Sequence, residues 1–164
     1  MSSEKRKIAY IDGKPYEIGA NHTSILKFVK SYVGEKKVPT LCDDPNLAPY
    51  GACRVCSVEV ALEKDGPTRM VASCHTPVAE NQHIFTSNEA ITSLRKNIVE
   101  LVLTDHPMEC DSCEVNNNCE LQTVANDLGV SDHRYNSPKQ HKGIPRDTSH
   151  DYMRMNLDNC INCG

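Results

Sequence analysis

Tyr50-Gly51-Ala52-Cys53-Arg54-Val55-Cys56-Ser57-Val58-Glu59-Val60 is the stretch from which the fold of this protein can be worked out. Two thiols stand in C-x-x-C spacing at the end of a loop that opens on two of the smallest residues. Val55, Val58 and Val60 then begin a β-rich run from Arg54 to Leu62. Asp65-Gly66-Pro67 turns the chain, and Met70 to Ala72 returns it toward Cys74. The reading is a loop that presents thiols, followed by a hairpin that carries the chain to a further one.

Upstream, residues 6 to 18 alternate apolar and polar side chains about Asp12-Gly13, a dipeptide suited to the positive backbone angles of a tight hairpin. Ile25, Leu26, Val29, Tyr32 and Val33 recur at helical spacing within 23–33, and Gly34 is placed to end that helix. Val38-Pro39-Thr40 leads into Cys42, and a short strand is expected around 83–86. Hairpin, crossing helix, ligand loop, hairpin and closing strand, in that order, predict an α+β chain whose first unit is a β-grasp sheet over residues 1–86. A second, helical unit is expected over 87–130. Its first helix presents Ile91, Leu94, Ile98, Leu101 and Val102 on one face, with Thr86 or Ser87 as N-cap and Pro107 closing the segment. Its second helix follows Cys119 and ends at Gly129. Residues 131–150, with Pro138, Gly143 and Pro145, read as an exposed connector, and 151–164 alternate again through Tyr152–Leu157 before the final cysteines.

The nine cysteines fall into three groups. In the first, ten residues separate Cys42 from Cys53, two separate Cys53 from Cys56, and seventeen separate Cys56 from Cys74. Plant-type [2Fe-2S] proteins use such a loop with a C-x-x-C pair and a distant fourth thiolate, although their first gap is four residues. Gly51 and Ala52 allow backbone N–H groups to approach inorganic sulfide, which offsets cluster charge. The alternative is zinc. Zinc ribbons join two C-x-x-C pairs across about 15 to 20 residues, whereas the next pair after Cys56 begins 54 positions later, at Cys110.

The second group, His106, Cys110, Cys113 and Cys119, has only three thiols, so a four-iron cluster would need His106 as its fourth ligand. A histidine near a helix end can equally be a cap or a surface residue, but Pro107 stiffens the backbone beside the imidazole. Glu109, Asp111, Glu114 and Glu120 read as solvated helix-end charges. In the third group, Cys160-Ile-Asn-Cys163-Gly164 has the form of the opening of a bacterial ferredoxin motif, stopped after two thiols. Two thiols cannot hold a four-iron cluster, so either another chain completes the site or, as expected here, the chain is a fragment of a longer protein, with a further [4Fe-4S] site only if it is extended.

Composition narrows the class. With 38% hydrophobic residues, no Trp and two Phe, the cores are lean and call for covalent or metal support. No apolar signal-peptide stretch follows Met1, which predicts a cytoplasmic, reducing location and favours metal over disulfides. No segment reaches the apolar length of a membrane span. A net charge of −4 without a basic stripe argues against nucleic acid. Lys5-Arg6-Lys7 reads as a solvated strand edge. No nucleophile-base pair, phosphate loop or flavin fingerprint occurs, so no catalytic residue is assigned.

Pro39-Thr-Leu-Cys42, Gly51-Ala-Cys53-Arg-Val-Cys56, His106-Pro-x-x-Cys110-x-x-Cys113 and Cys119-Glu-Leu-Gln122 together resemble an N-terminal iron-sulfur region shared by three groups. These are the G-type subunit of complex I (NADH-quinone oxidoreductase), [FeFe]-hydrogenases with their NAD-linked relatives, and alpha subunits of NAD-dependent formate dehydrogenases. The resemblance runs from about residue 6 to the end. It implies [2Fe-2S] on Cys42, Cys53, Cys56 and Cys74 in a β-grasp domain, and [4Fe-4S] on His106, Cys110, Cys113 and Cys119. It also implies electron transfer between an NAD(H)/flavin-binding diaphorase-type partner and a catalytic domain or subunit of molybdopterin or hydrogenase type. Tyr50-Gly-Ala-Cys53-Arg, Thr104-Asp-His106-Pro, Leu128-Gly-Val-Ser-Asp-His-Arg-Tyr135 and Asp147-Thr-Ser-His-Asp-Tyr152 look most like the formate dehydrogenase branch. The rival of another class is a zinc-stabilised interaction module that carries no electrons.

Overall fold

The computed structural model describes residues 6–135, 143–161 and 163. Lys5, Pro138 and Gly164, on which parts of the sequence reading fall, lie outside them. The chain is mixed α+β. Five strands, β1 (Ile8–Ile11), β2 (Lys14–Glu17), β3 (Ser57–Ala61), β4 (Arg69–Ala72) and β5 (His83–Phe85), form one sheet in the order β2-β1-β5-β3-β4. The predicted hairpins pair antiparallel, Ile8 opposite Glu17 and Ser57 opposite Ala72, and β5 joins them by running parallel to β1 and antiparallel to β3. Asp12 and Gly13 both take positive φ, 47° and 83°, as the tight turn demands. Arg6 lies at the strand edge, 3.8 Å from Glu17.

Helix α1 (Ile25–Val33) is capped by Ser24, whose side chain accepts from the Lys27 N–H, and its Ile25, Leu26, Phe28 and Val29 are buried on the sheet. Its first turn also donates out of the helix. Ile25 N–H bonds Thr76 O at 2.8 Å and Leu26 N–H bonds Ser73 O at 2.9 Å. Donors that a helix start leaves unpaired thereby fix the turn that carries Cys74.

Helix α2 (Glu89–Thr104) differs from expectation in its cap and in its face. Asn88, not Thr86 or Ser87, is the N-cap, accepting from Ile91 N–H at 2.8 Å. Thr86 is already committed: its hydroxyl and N–H donate to Asp12 at 2.6 and 2.8 Å. The fully buried positions are Ile91, Arg95, Val99 and Leu103, every fourth residue, while Leu101 is 53% exposed. Helix α3 (Glu120–Leu128) buries Leu121, Val124 and Ala125 and ends at a left-handed Gly129, as predicted.

A second core contains Val99 and Leu103 of α2, Leu121, Val124 and Ala125 of α3, and also Leu41 and Val55. The last two flank the first group of cysteines. Val55 therefore does not extend β3, which starts at Ser57, but turns toward the helices. Residues 131–135 and 143–150 are mostly exposed. The alternation in Tyr152–Leu157 makes no strand; a single bridge pairs Met155 with Asp147, and Tyr152, Met153, Met155 and Leu157 are all exposed.

Asp12 joins the first hairpin to the end of β5 and, through Lys37 at 3.4 Å, to the segment after α1. Burial alone would raise its pKa, but the Thr86 hydroxyl and N–H together with the Lys37 ammonium outweigh it and hold the carboxyl below its ordinary value. Asp12→Ala leaves the buried Thr86 without its acceptor and is expected to cost about 2 kcal/mol. Urea unfolding of variant and parent at neutral pH measures this. Because the folded pKa is depressed, the contribution is present above the unfolded carboxyl value and fades as pH falls through the folded one.

Candidate metal centres

The loop through Cys53 and Cys56 is shaped by two left-handed residues, Gly51 at φ 68° and Arg54 at φ 63°. A Cβ on Gly51 would stand 2.9 Å from Nδ1 of His75, so the loop closes against the residue after Cys74 only because that position has no side chain. Arg54 O then receives Ser57 Oγ at 2.6 Å and Ser57 N–H at 3.1 Å, which completes the C-x-x-C turn. Ser73 ties the other end: its hydroxyl donates to Cys56 O at 2.7 Å.

These contacts bring Cys42, Cys53, Cys56 and Cys74 together. Cys53 N–H points to Cys42 Sγ at 3.5 Å. Burial pushes the Cys42 thiol up, with the Cys53 N–H working against it and the Cys53 thiol adding to it. Burial pushes Cys74 up to about 12, helped by the neighbouring thiols of Cys56 and Cys42 and by Asp43. Cys42, Cys56 and Cys74 are nearly inaccessible, while Cys53 is half-buried. Crowded thiols beside a backbone donor, with those of Cys42 and Cys74 pushed up by burial, are a donor set that fits a metal able to displace their protons.

The second set surrounds a cavity of about 360 Å³ lined by His106, Cys110, Cys113 and Cys119. The cavity has room for a group larger than a bare ion. His106 follows the end of α2 and its Nδ1 is buried, Cys110 begins a single 3-10 turn, and Cys119 is the N-cap of α3. Gln122 braces the intervening loop by accepting from Asn117 N–H at 2.8 Å and donating to Asn116 Oδ1 at 2.9 Å. Glu109, Asp111, Glu114 and Glu120 are exposed, and Glu114 meets Arg146 at 3.5 Å.

Among the described residues, no three His, Cys, Asp or Glu side chains converge on a position for one metal ion. Ligands of a polyatomic iron-sulfur core stand further apart than those of a single ion, so this spacing is compatible with the larger group. Cys160 and Cys163 are exposed. Their segment lies against the second set, where Ile161 packs on the second core and Asn159 and Ile161 line the His106 cavity, and Cys163 acts with Cys42 and Cys53 on the Tyr50 hydroxyl. Desolvation first, and those thiols after it, raise the Tyr50 pKa.

Ligand spacing carries no signal for Arg95, which is 4% exposed and donates through Nη2 to Ser57 O at 2.7 Å. Ser73 and Gln122 also hold the sites in place without being recognisable from that spacing.

The chain matches two families. Residues 8–89 match the 2Fe-2S iron-sulfur cluster binding domain, and residues 95–134 match the NADH-ubiquinone oxidoreductase-G iron-sulfur binding region. It is 33% identical over 153 residues to NADPH-Fe(3+) oxidoreductase subunit alpha of Geobacter sulfurreducens, covering 93% of this chain and 17% of that protein. It is 33% identical over 159 residues to NADP-reducing hydrogenase subunit HndD of Solidesulfovibrio fructosivorans, covering 93% of this chain and 26% of that one. With the G-type subunit of the Escherichia coli NADH-quinone oxidoreductase it shares 35% identity over 133 residues, 80% of this chain and 14% of that protein. The chain thus spans about a quarter or less of the length of these relatives. A solved NAD+-reducing [NiFe]-hydrogenase in the H2-reduced state has the same fold, with TM-score 0.80 and 24% identity over 96% of this chain and 63% of that one. With half its length in the first match and its helical part in the second, the chain belongs to the 2Fe-2S iron-sulfur cluster binding family and carries, after that domain, the 4Fe-4S-binding region of the NADH-ubiquinone oxidoreductase-G type.

Proposed function

We propose that this chain is an electron relay of an NAD(P)-linked oxidoreductase. Cys42, Cys53, Cys56 and Cys74 hold the [2Fe-2S] cluster within a β-grasp unit spanning 1–86, and His106, Cys110, Cys113 and Cys119 hold the [4Fe-4S] cluster within 87–130. Residues 131–150 connect these to 151–164, where Cys160 and Cys163 begin a further [4Fe-4S] site in a longer protein. When bound, the clusters supply one-electron chemistry; the protein sets their spacing, their burial and the donors facing their sulfurs.

The observation that carries this reading is the shared core. Leu41 and Val55, beside the first thiols, are buried with Leu103 and Leu121 from the helices that carry the second ligand set. Two redox centres braced against one apolar core keep a fixed separation, which is what a relay requires. The donor is a flavin or NAD(H)-binding subunit, and the acceptor is a catalytic domain beyond these residues. The motifs around His106, Tyr135 and Tyr152 favour a formate dehydrogenase alpha subunit, with the G-type subunit of complex I and a hydrogenase electron-input subunit as neighbouring readings. The working compartment is the cytoplasm, and among the described residues no helix is long and apolar enough to cross a membrane.

Anaerobic reconstitution followed by iron, sulfide and zinc analysis tests the proposal. The expected result is a brown protein with about six iron atoms per chain, acid-labile sulfide, and two paramagnetic signals after dithionite. A colourless, zinc-loaded chain would identify the interaction module instead.

A further inference from the structure

Arg95 is the one arginine buried in this structure among the described residues, and no carboxylate pairs with it there. Its Nη2 donates to Ser57 O, the residue after Cys56, at 2.7 Å. Its Nε is also buried and has no hydrogen-bond partner. Burial lowers the guanidinium to about 10, and the Cys56 thiol is the group that works in the opposite direction. The side chain therefore remains a cation at neutral pH, desolvated and held on the carbonyl of the residue that follows Cys56. A buried charge of this kind is costly unless something nearby balances it.

We propose that Arg95 is the countercharge of the [2Fe-2S] site, a positioning residue that raises the reduction potential of that centre and makes its loading cooperative with the docking of α2. This rests on the assignment of Cys42, Cys53, Cys56 and Cys74 to that cluster. Four thiolates around two ferric irons and two sulfides leave a dianion. One-electron reduction by a flavin-type donor converts one ferric iron to ferrous, breaks no bond and adds one further negative charge. A fixed cation in a buried, weakly screened setting stabilises the reduced form more than the oxidised one. Arg95 stands on the same helix whose end leads to His106, so the same side chain joins the two ligand sets mechanically.

The test is a redox titration of the [2Fe-2S] signal in the reconstituted chain, followed by paramagnetic resonance. Arg95→Gln keeps a donor for Ser57 O but removes the charge. It is expected to lower the ratio of reduced to oxidised cluster at fixed ambient potential about tenfold, a downshift of about 59 mV for one electron. Arg95→Lys keeps the charge and is expected to stay within about threefold of the parent. Asn88→Ala weakens α2 through its cap, and frees Glu59 from the Asn88 side chain, without changing net charge, and its potential is expected to match the parent. A parental potential in Arg95→Gln, or an equal downshift in Asn88→Ala, would overturn the proposal while leaving the cluster assignment intact. If Arg95→Gln cannot be isolated with its cluster, Arg95→Lys decides, and a tenfold change there would also overturn it. A parent chain with no [2Fe-2S] signal would instead refute the assignment on which the proposal rests.

Discussion

Cys74→Ala is expected to erase the [2Fe-2S] signal and to remove about a third of the iron while the [4Fe-4S] signal persists. Cys74 is the proposed ligand furthest in sequence from the C-x-x-C pair, yet the turn that carries it is firmly held. Ser73 hydrogen-bonds Cys56 O at 2.7 Å, and the first N–H groups of α1 bond the carbonyls of Ser73 and Thr76. No other described cysteine can be brought there without unpicking that turn. As a packing change alone, removing one sulfur at a site 1% exposed costs only about 1 kcal/mol. The larger loss comes through linkage, since metal binding to a lean fold is part of its folding free energy, on the order of 10 kcal/mol for structural metal sites. Urea unfolding of cluster-loaded parent and variant should differ by several times the packing term. Retention of a full [2Fe-2S] spectrum in the variant would remove Cys74 from the ligand set.

The same residue gives a pH signature. In the iron-free chain the Cys74 thiol is raised from 9.0 to about 12, so folding favours its protonated form. The sign follows. Stability from this group is fully present below about pH 9, where folded and unfolded chains both hold the proton, and is lost as pH climbs toward 12. In the loaded chain the proton has already left, and this alkaline loss is absent. Denaturation midpoints of the iron-free chain at about pH 8 and about pH 10 should fall with pH, and Cys74→Ala should flatten that fall.

How much was readable from the sequence depends on how local the cause is. Asp12-Gly13 and Gly129 declare their turns because the backbone angles they permit belong to those residues alone. The C-x-x-C turn at Cys53 and Cys56 was legible for a similar reason, since its spacing encodes a turn that Arg54 makes with positive φ. Helix α2 was legible as a helix but not in its orientation. A periodicity argument counts arginine as polar, so the stripe Ile91, Arg95, Val99 and Leu103 was hidden, and the expected face included the exposed Leu101. The misplaced cap has a longer-range cause. Thr86 has the right chemistry, but its hydroxyl is occupied by Asp12, 74 residues earlier. Leu41 and Val55 likewise belong by sequence to the first unit and by packing to the second core. Only the assembled fold reveals that the two ligand sets share support.

His106→Ala is expected to remove the [4Fe-4S] centre and leave the [2Fe-2S] centre in place, whereas His106→Cys should retain both, with the second at a lower potential. The site explains the asymmetry. Cys110, Cys113 and Cys119 reach the cavity from a 3-10 turn, its cap and the start of α3, while His106 lines it from the segment beyond the end of α2. Three thiols leave a four-iron core one ligand short, and the imidazole would be its fourth donor. A neutral imidazole in place of a thiolate makes the core one unit less negative, which favours the reduced state, so cysteine at 106 should reverse that bias. It also introduces competition with protons. A ligating imidazole must be unprotonated, so mild acid should strip the second centre before the first, and His106→Cys should narrow that difference. Parallel decay of the two paramagnetic signals as pH is lowered, together with an unchanged [4Fe-4S] spectrum in His106→Ala, would place His106 outside the ligand set and leave the three cysteines to recruit a fourth donor from elsewhere.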